Sequence, residues 1–405
     1  MPDSAVEVAA LFVKLPNETP ADVNAFYQVP DGKAMVLFEN FLYDQYAVIE
    51  NGEYYIDYKT VRNLFDRRFY WSGSDELLTF TTPTSQIRAY ADSCDYYTNK
   101  AKNTDSNPVV KVFSNEPFIS LTFLKRFADI TATVFAAPDR VVIRYNWGTQ
   151  CQTTQVTAAA LLRTQASDQG EILAQLPVGE ELIFIKDSAT DSSGYAKVMT
   201  TAGLIGFVDT AKLGTAVLKS DVSPNEPDVY THITKDYSIS MVTHSITTQA
   251  DNDDVLSFAA SYSGLTTICP SWFSLLNTNG ELTSLASEVY VERMHNSDIE
   301  VWAQITDSEA DINAALADTA SRDKLKNAII SNIIKYDIDG VVIRFENITT
   351  AGVPDYMQFL RELSISCRNN GFVLSTDSAA FDELLKEEDK EEIERITDFR
   401  IPEIS

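Results

Sequence analysis

The sequence is poor in the residues that hold metals and cross-link chains. Its 405 residues include three histidines, His232, His244 and His295, and four cysteines, Cys94, Cys151, Cys269 and Cys367. The cysteines are widely spread and form no CxxC pair or Cys/His cluster, which excludes the usual zinc-ligand spacings. The expectation is therefore no metal and no cofactor, with the thiols serving as small buried side chains. Positive charge is also scarce: 32 Lys and Arg stand against 59 Asp and Glu, a formal net charge of -27. Phosphate backbones and anionic lipid surfaces both require clustered cations, so neither nucleic acid nor a bilayer surface is an expected partner. No apolar run approaches the length of a membrane span. The opening MPDSAVEVAALFVKLPNETP lacks the basic start and clean apolar core of a signal peptide.

What is present describes a globular chain of several domains. Hydrophobic residues make up 44% and charged residues 22%, an ordinary balance for packed cores, and the length exceeds what one core supports. Residues 50–83, ENGEYYIDYKTVRNLFDRRFYWSGSDELLTFTTP, have a counterpart in 114–146, SNEPFISLTFLKRFADITATVFAAPDRVVIRYN. Each reads as a turn, a strand around Ile56 or Ile119, a helix, and a second strand with a polar turn. Val61 with Leu64, and Leu124 with Phe127, supply the helical spacing. The repeat predicts two α+β units sharing a sheet. It resembles the copper amine oxidase N-terminal-like domain, a stalk module of bacterial envelope proteins, although residues 1–147 contain no histidine to bind copper.

From 151 to 216 the texture changes to closely spaced short strands with polar turns, which predicts a small β-barrel. An arginine before a polar loop, a turn at LPVGEEL and the closing GYAKVM and GLIGFVDTAKL make the segment similar to a bacterial SH3-like domain. That resemblance implies either wall-peptide binding or a rigid spacer. The following SDVSPNEPDVYTHITKD reads as a linker. The domains expected are thus a duplicated α+β stalk at 1–147, an SH3-like domain at 148–219, a linker at 220–233 and a last domain from 234 to 405.

In that last domain strands and helices alternate, which signals a parallel sheet covered by helices. Strands are expected at 238–244, 265–273, 299–305, 338–346, 371–377 and 397–404. Helices are expected over SRDKLKNAIISNIIKY and over VPDYMQFLRELSISCRNN, the second with proline in its first turn. The stretch from CPSWFSLLNTNGEL to YDIDGVVIRFEN resembles glycoside hydrolase family 18, in its bacterial cell-wall and spore-wall branch. The resemblance implies a TIM-type (β/α) barrel, here incomplete after the sixth strand, and an Asp-Gly-x-Asp-x-Asp-x-Glu strand. In that family the glutamate protonates the glycosidic oxygen, while the preceding aspartate orients the substrate's own acetamido group for attack.

Carried over residue by residue, the first aspartate is Asp339, Gly340 is kept, and the final glutamate is Glu346. Val342 and Arg344 replace the two intervening aspartates. Strand alternation puts Val342, Arg344 and Glu346 on the barrel interior and Val341, Ile343 and Phe345 toward the helices. An arginine beside Glu346 favours the carboxylate over the acid, the reverse of what a proton donor needs, and has no acceptor to orient an acetamide. The expectation is a degenerate, non-catalytic module that recognises glycans containing N-acetylglucosamine, such as peptidoglycan or chitin. Substrate contacts are assigned to Trp272, Phe273, Trp302, Arg344 and Asp377, with Glu346 and Asp339 as the remnants of the catalytic strand. Two alternatives are an active endo-N-acetylglucosaminidase using Glu346, and a purely structural surface protein. All three imply an extracellular or cell-envelope location.

Overall fold

The computed structural model describes residues 14–185 and 194–401. Residues 1–13, read above for an export signal, and 402–404 of the sixth expected strand lie outside the described residues. The chain divides into two compact units, one of residues 1–66 with 113–226 and one of 67–112 with 227–405.

In the first unit, one sheet contains in order Thr131–Phe135, Arg140–Arg144, Lys33–Phe38, Phe41–Glu50, Glu53–Asp57 and Glu116–Ser120. The last two of these hold the matching positions of the two similar segments, and Val110–Phe113 follows them at the sheet's edge. The two matching strands pair antiparallel with Ile119 opposite Ile56. Each strand runs into a helix whose first turn it caps: Asp57 accepts from the Thr60 N–H and Ser120 from the Phe123 N–H. The buried Glu53 carboxylate ties the copies together by accepting from the Ser120 and Thr122 hydroxyls. A second sheet over 150–220 is antiparallel and seven-stranded, in the order Ile172–Leu176, Ala160–Arg163, Ile205–Asp209, Tyr195–Thr200, Glu181–Phe184, Gln150–Gln155, Val217–Ser220.

Two expectations are corrected here. Residue 147 does not separate two cores, because Met35, Leu37 and Val142 share one apolar cluster with Cys151, Ile183 and Met199. Nor do the repeats share all of one sheet. The second repeat's hairpin joins the sheet above through Arg140–Ile143 parallel to Met35–Phe38. The first repeat's hairpin, Tyr70–Ser72 with Leu77–Thr81, instead begins a five-stranded meander completed by Gln86–Tyr90, Asp95–Thr98 and Ala101–Thr104. That meander belongs to the second compact unit.

The second unit is built on six parallel strands in chain order: β1 (Met241–His244), β2 (Thr267–Pro270), β3 (Glu300–Thr306), β4 (Gly340–Arg344), β5 (Val373–Thr376) and β6 (Phe399–Arg400). Helical segments lie between successive strands, the longest being α1 (Thr319–Tyr336), α2 (Val353–Asn370) and α3 (Glu387–Ile396). This is the arrangement of an incomplete (β/α) barrel. Val341, Ile343 and Phe345 enter the large core shared with the helices, whereas Val342 joins an inner cluster with Cys269, Trp302 and Val373. Among the described residues no helix is long and apolar enough to cross a membrane.

Ion pairs hold the meander on the outer face of the helices. Arg88 grips Asp323 of α1 with both terminal nitrogens, at 2.6 and 2.9 Å. Tyr70 donates to Asp355 of α2 at 2.8 Å, and Arg67 meets Asp389 of α3 at 2.6 Å. Burial alone would push the Asp323 carboxyl up, but hydrogen bonding from Arg88 and the charge of Lys326 outweigh it and bring it down to about 2. A carboxylate depressed in the folded state adds stability above its unfolded value, and that stability is lost as pH falls through the folded value. The shift corresponds to about 2 kcal/mol. Urea stability of this unit is expected to decline as pH falls from about 4 to about 2, with a flatter profile in Asp323→Asn. Parallel profiles for the two proteins would remove Asp323 as the cause.

Candidate functional site

In sheets of this kind, side chains at the carboxyl ends of the strands converge where ligands bind. Here that end carries Arg344 from β4, Glu346 just beyond it and Asp377 just beyond β5. The Arg344 Nε lies 3.3 Å from Glu346 Oε1 and 3.6 Å from Asp377 Oδ2. Arg344 and Glu346 are about half exposed, at 42% and 56% of their side chains, and Asp377 is more enclosed at 20%. Strand alternation places the arginine beside Glu346, and the neighbouring strand brings Asp377 to its other side.

Residues that sequence reasoning missed hold this group in place. Asp307, 2% exposed, follows β3 and accepts the N–H groups of Glu346 and Asn347, each at 2.9 Å. Asp377 is fixed by its N–H to the Ile343 carbonyl and by Ala379 N–H to its Oδ1. Below it, two residues back on the same face of β5, Ser375 is fully buried and its hydroxyl has no partner among the described residues. The single signal for Asp307 was its place directly after an apolar strand.

Other expected site residues lie elsewhere. Asp339 stands at the opposite end of β4, seven residues and so roughly 20 Å from Glu346 along the strand. Its Oδ2 accepts from the Val301 N–H at 2.8 Å and lies 2.9 Å from His295 Nε2. It borders a shallow cleft of about 450 Å³ with Tyr237, Thr266, His295 and Glu300, and takes no part in the group around Arg344. Trp272 is 1% exposed, donates its ring N–H to Asn252 and packs edge-on against Tyr290. Phe273 lies in the same helix-side core. Trp302 does face inward, but from the third position of β3, near its amino end. It is 1% exposed, donates to Glu300 and lies against Phe399. None of the three presents a ring face for a sugar. The near-continuous apolar runs that marked these strands signal burial on both faces, which is where such rings go.

Gly340 has a steric reason to be glycine. A Cβ there would lie 2.7 Å from the Val373 Cβ and 3.2 Å from Trp302 Cδ1. Gly340→Ala is expected to cost about 1–3 kcal/mol, read as a lower urea midpoint with an unchanged slope. A midpoint equal to wild type would show that Trp302 yields easily.

Cys269 sits within the inner cluster, where burial pushes its thiol up to about 12 and keeps it unreactive. All four cysteines are free thiols; Cys94 is half-buried and the others are buried.

The sequence matches no family model and no curated protein. Solved structures similar to this chain include a chitinase from Chromobacterium violaceum ATCC 12472, with 11% identity over 40% of this chain and 55% of that one, at a TM-score of 0.33. They also include spore cortex-lytic enzymes SleL from Bacillus megaterium QM B1551, with 18% identity over 56% of each chain and a TM-score of 0.33, and from Bacillus cereus, with 18% identity over 39% of each chain and a TM-score of 0.32. The chain spans about half the length or less of the structures it matches. The structural neighbours are chitinases and spore cortex-lytic enzymes, at low identity and partial coverage.

Proposed function

We propose that the parallel-stranded domain is a glycosidase-like module that recognises glycans containing N-acetylglucosamine and does not hydrolyse them. The observation that carries this reading is the position of Arg344 between Glu346 and Asp377. The Arg344 Nε already engages Glu346 Oε1 at 3.3 Å, so the oxygen that would face a leaving group is held in an ion pair. The position two before Glu346, which in the resembled family orients the acetamido group, here offers donors only. The same groups suit hydroxyl and amide recognition: a partly exposed fork of donors and two acceptor carboxylates. In this reading Arg344, Asp377 and Glu346 contact the sugar.

The other segments fit the same setting as proposals: the repeat at 50–83 and 114–146 as envelope stalk elements, the SH3-like segment 151–216 as a wall-peptide site or a rigid spacer, and an extracellular or envelope location for the whole. The test is calorimetric titration with chitin oligosaccharides and with soluble peptidoglycan fragments, alongside product analysis. Saturable binding without product is expected, and Arg344→Ala should weaken it at least tenfold. A specific observation favours one other reading. The three aromatic residues expected to stack on sugar are all buried, as they would be in a purely structural barrel. Absence of binding to both glycans would decide for that reading.

A further inference from the structure

The second sheet of the first unit carries a seat for an extended peptide, and the chain's own residues 15–21 occupy it. The strand Ala160–Arg163 leads into loop 164–171 and returns as Ile172–Leu176. Pro20 forms a parallel bridge with Ile172. The Ile172 N–H donates to the Thr19 carbonyl at 2.9 Å, and the Ala21 N–H donates to the Ile172 carbonyl at 2.8 Å. Further along, the Asn17 N–H donates to the Asp168 carbonyl at 2.8 Å, and Gln169 Nε2 reaches the Leu15 carbonyl at 3.0 Å. Arg163, only 6% exposed, directs Nη1 at two main-chain carbonyls, Asn17 at 2.8 Å and Gly170 at 2.6 Å. The loop is held tight by Gly170, where a Cβ would lie 2.9 Å from the Gln165 nitrogen.

The segment is held by its backbone. Among the described residues, only the Asn17 amide, which donates to the Gln169 carbonyl at 3.1 Å, engages the loop with a side chain. Leu15 is 81% exposed, and Lys14, Pro16, Glu18, Thr19 and Pro20 also face solvent. A strap with so little apolar burial opens at low free-energy cost. Opening would not release the chain after it, because the Tyr27 hydroxyl bridges the Ile205 N–H and carbonyl at 2.7 Å each. Main-chain bonding of this kind is how extended peptides add to a sheet edge, with affinity from the backbone and little sequence demand.

We infer that Arg163, loop 164–171 and Ile172 form a docking site for an extended peptide of another molecule, which residues 15–21 fill as a displaceable strap. Asp168 and Glu171 on the loop select an uncharged or basic peptide, with an asparagine favoured at the position of Asn17. This site is independent of the glycan reading.

The probe is a fluorescein-labelled synthetic peptide, KLPNETPA, titrated by anisotropy into the full chain. In the wild-type protein the tethered strap competes at an effective concentration of about millimolar. The double variant Asn17→Ala, Ala21→Pro removes one side-chain and one main-chain donor from the strap. It is expected to bind the peptide at least tenfold more tightly than wild type, and adding Arg163→Gln should reverse the gain. Hydrogen exchange on the wild-type chain gives a second readout that needs no variant. Excess unlabelled peptide should speed exchange at the Asn17 and Ala21 amides while Ile172 stays protected. Equal peptide binding by folded wild type and variant, including none by either, overturns the proposal. So does exchange at Asn17 and Ala21 that ignores the peptide.

Discussion

Replacing Arg322 with alanine is expected to destabilise the unit of residues 67–112 and 227–405 by about 3–5 kcal/mol. Arg322 is fully buried on α1. Its Nη1 donates to the Leu316 carbonyl at 2.7 Å, its Nε faces both Glu362 oxygens at 3.4 Å, and its guanidinium lies 4.9 Å over the Tyr70 ring. Glu362 on α2 is equally buried. Alanine would leave that carboxylate in the interior with Gln358 at 2.9 Å, while Arg88 and Lys326 stand off at 3.9 Å. Removing one member of a buried pair is far costlier than replacing both with apolar groups. The double variant Arg322→Met, Glu362→Leu should therefore lie closer to wild type than either single variant. Urea midpoints decide the matter. A loss below about 1 kcal/mol in Arg322→Ala would mean that water or Arg88 rescues Glu362.

The second large effect concerns chemistry. With N-acetylglucosamine oligomers or peptidoglycan at neutral pH, the protein is expected to release no product above the buffer control, and Glu346→Gln should leave that result unchanged. Loss of a working general acid alone removes roughly 10²–10⁴-fold in rate. Loss of the acetamido-orienting carboxylate in a substrate-assisted mechanism adds to it. Arg344→Asp removes the cation and restores a carboxylate two residues before Glu346. Two nearby carboxylates repel, which favours protonation of one of them, the state a donor requires. A weak gain of turnover in Arg344→Asp would show that the arginine is what silences the site. Robust wild-type turnover that disappears in Glu346→Gln would refute the non-catalytic reading.

Much of the last domain was legible in one dimension. All six strands stand where apolar runs and helical stretches alternate, and period-two alternation correctly separated Val342 and Arg344 from Val341, Ile343 and Phe345. Both patterns are local, set by backbone geometry within a few residues. The position of Arg344 beside Glu346 follows from the same rule, since i and i+2 on a strand must be neighbours. Sequence reading failed where a side chain's surroundings come from distant segments. Trp272, Phe273 and Trp302 were read as sugar platforms from their places near strand ends, but Asn252, Tyr290, Glu300 and Phe399 enclose them.

The sequence by itself therefore determined the element order, the inward and outward faces of β4, and the replacement that sets an arginine two residues before Glu346. Tertiary structure alone decided that Asp377 completes the pair around Arg344, that Asp307 holds the Glu346 backbone, and that Asp339 serves the opposite end of the sheet. It also decided that residues 67–83 leave their repeat and, with 84–112, belong to the C-terminal unit. The reason is the same throughout. Alternation and helical period act over neighbouring residues, whereas Arg88 with Asp323, or Arg344 with Asp377, become partners only when strands and helices far apart in the chain are brought together.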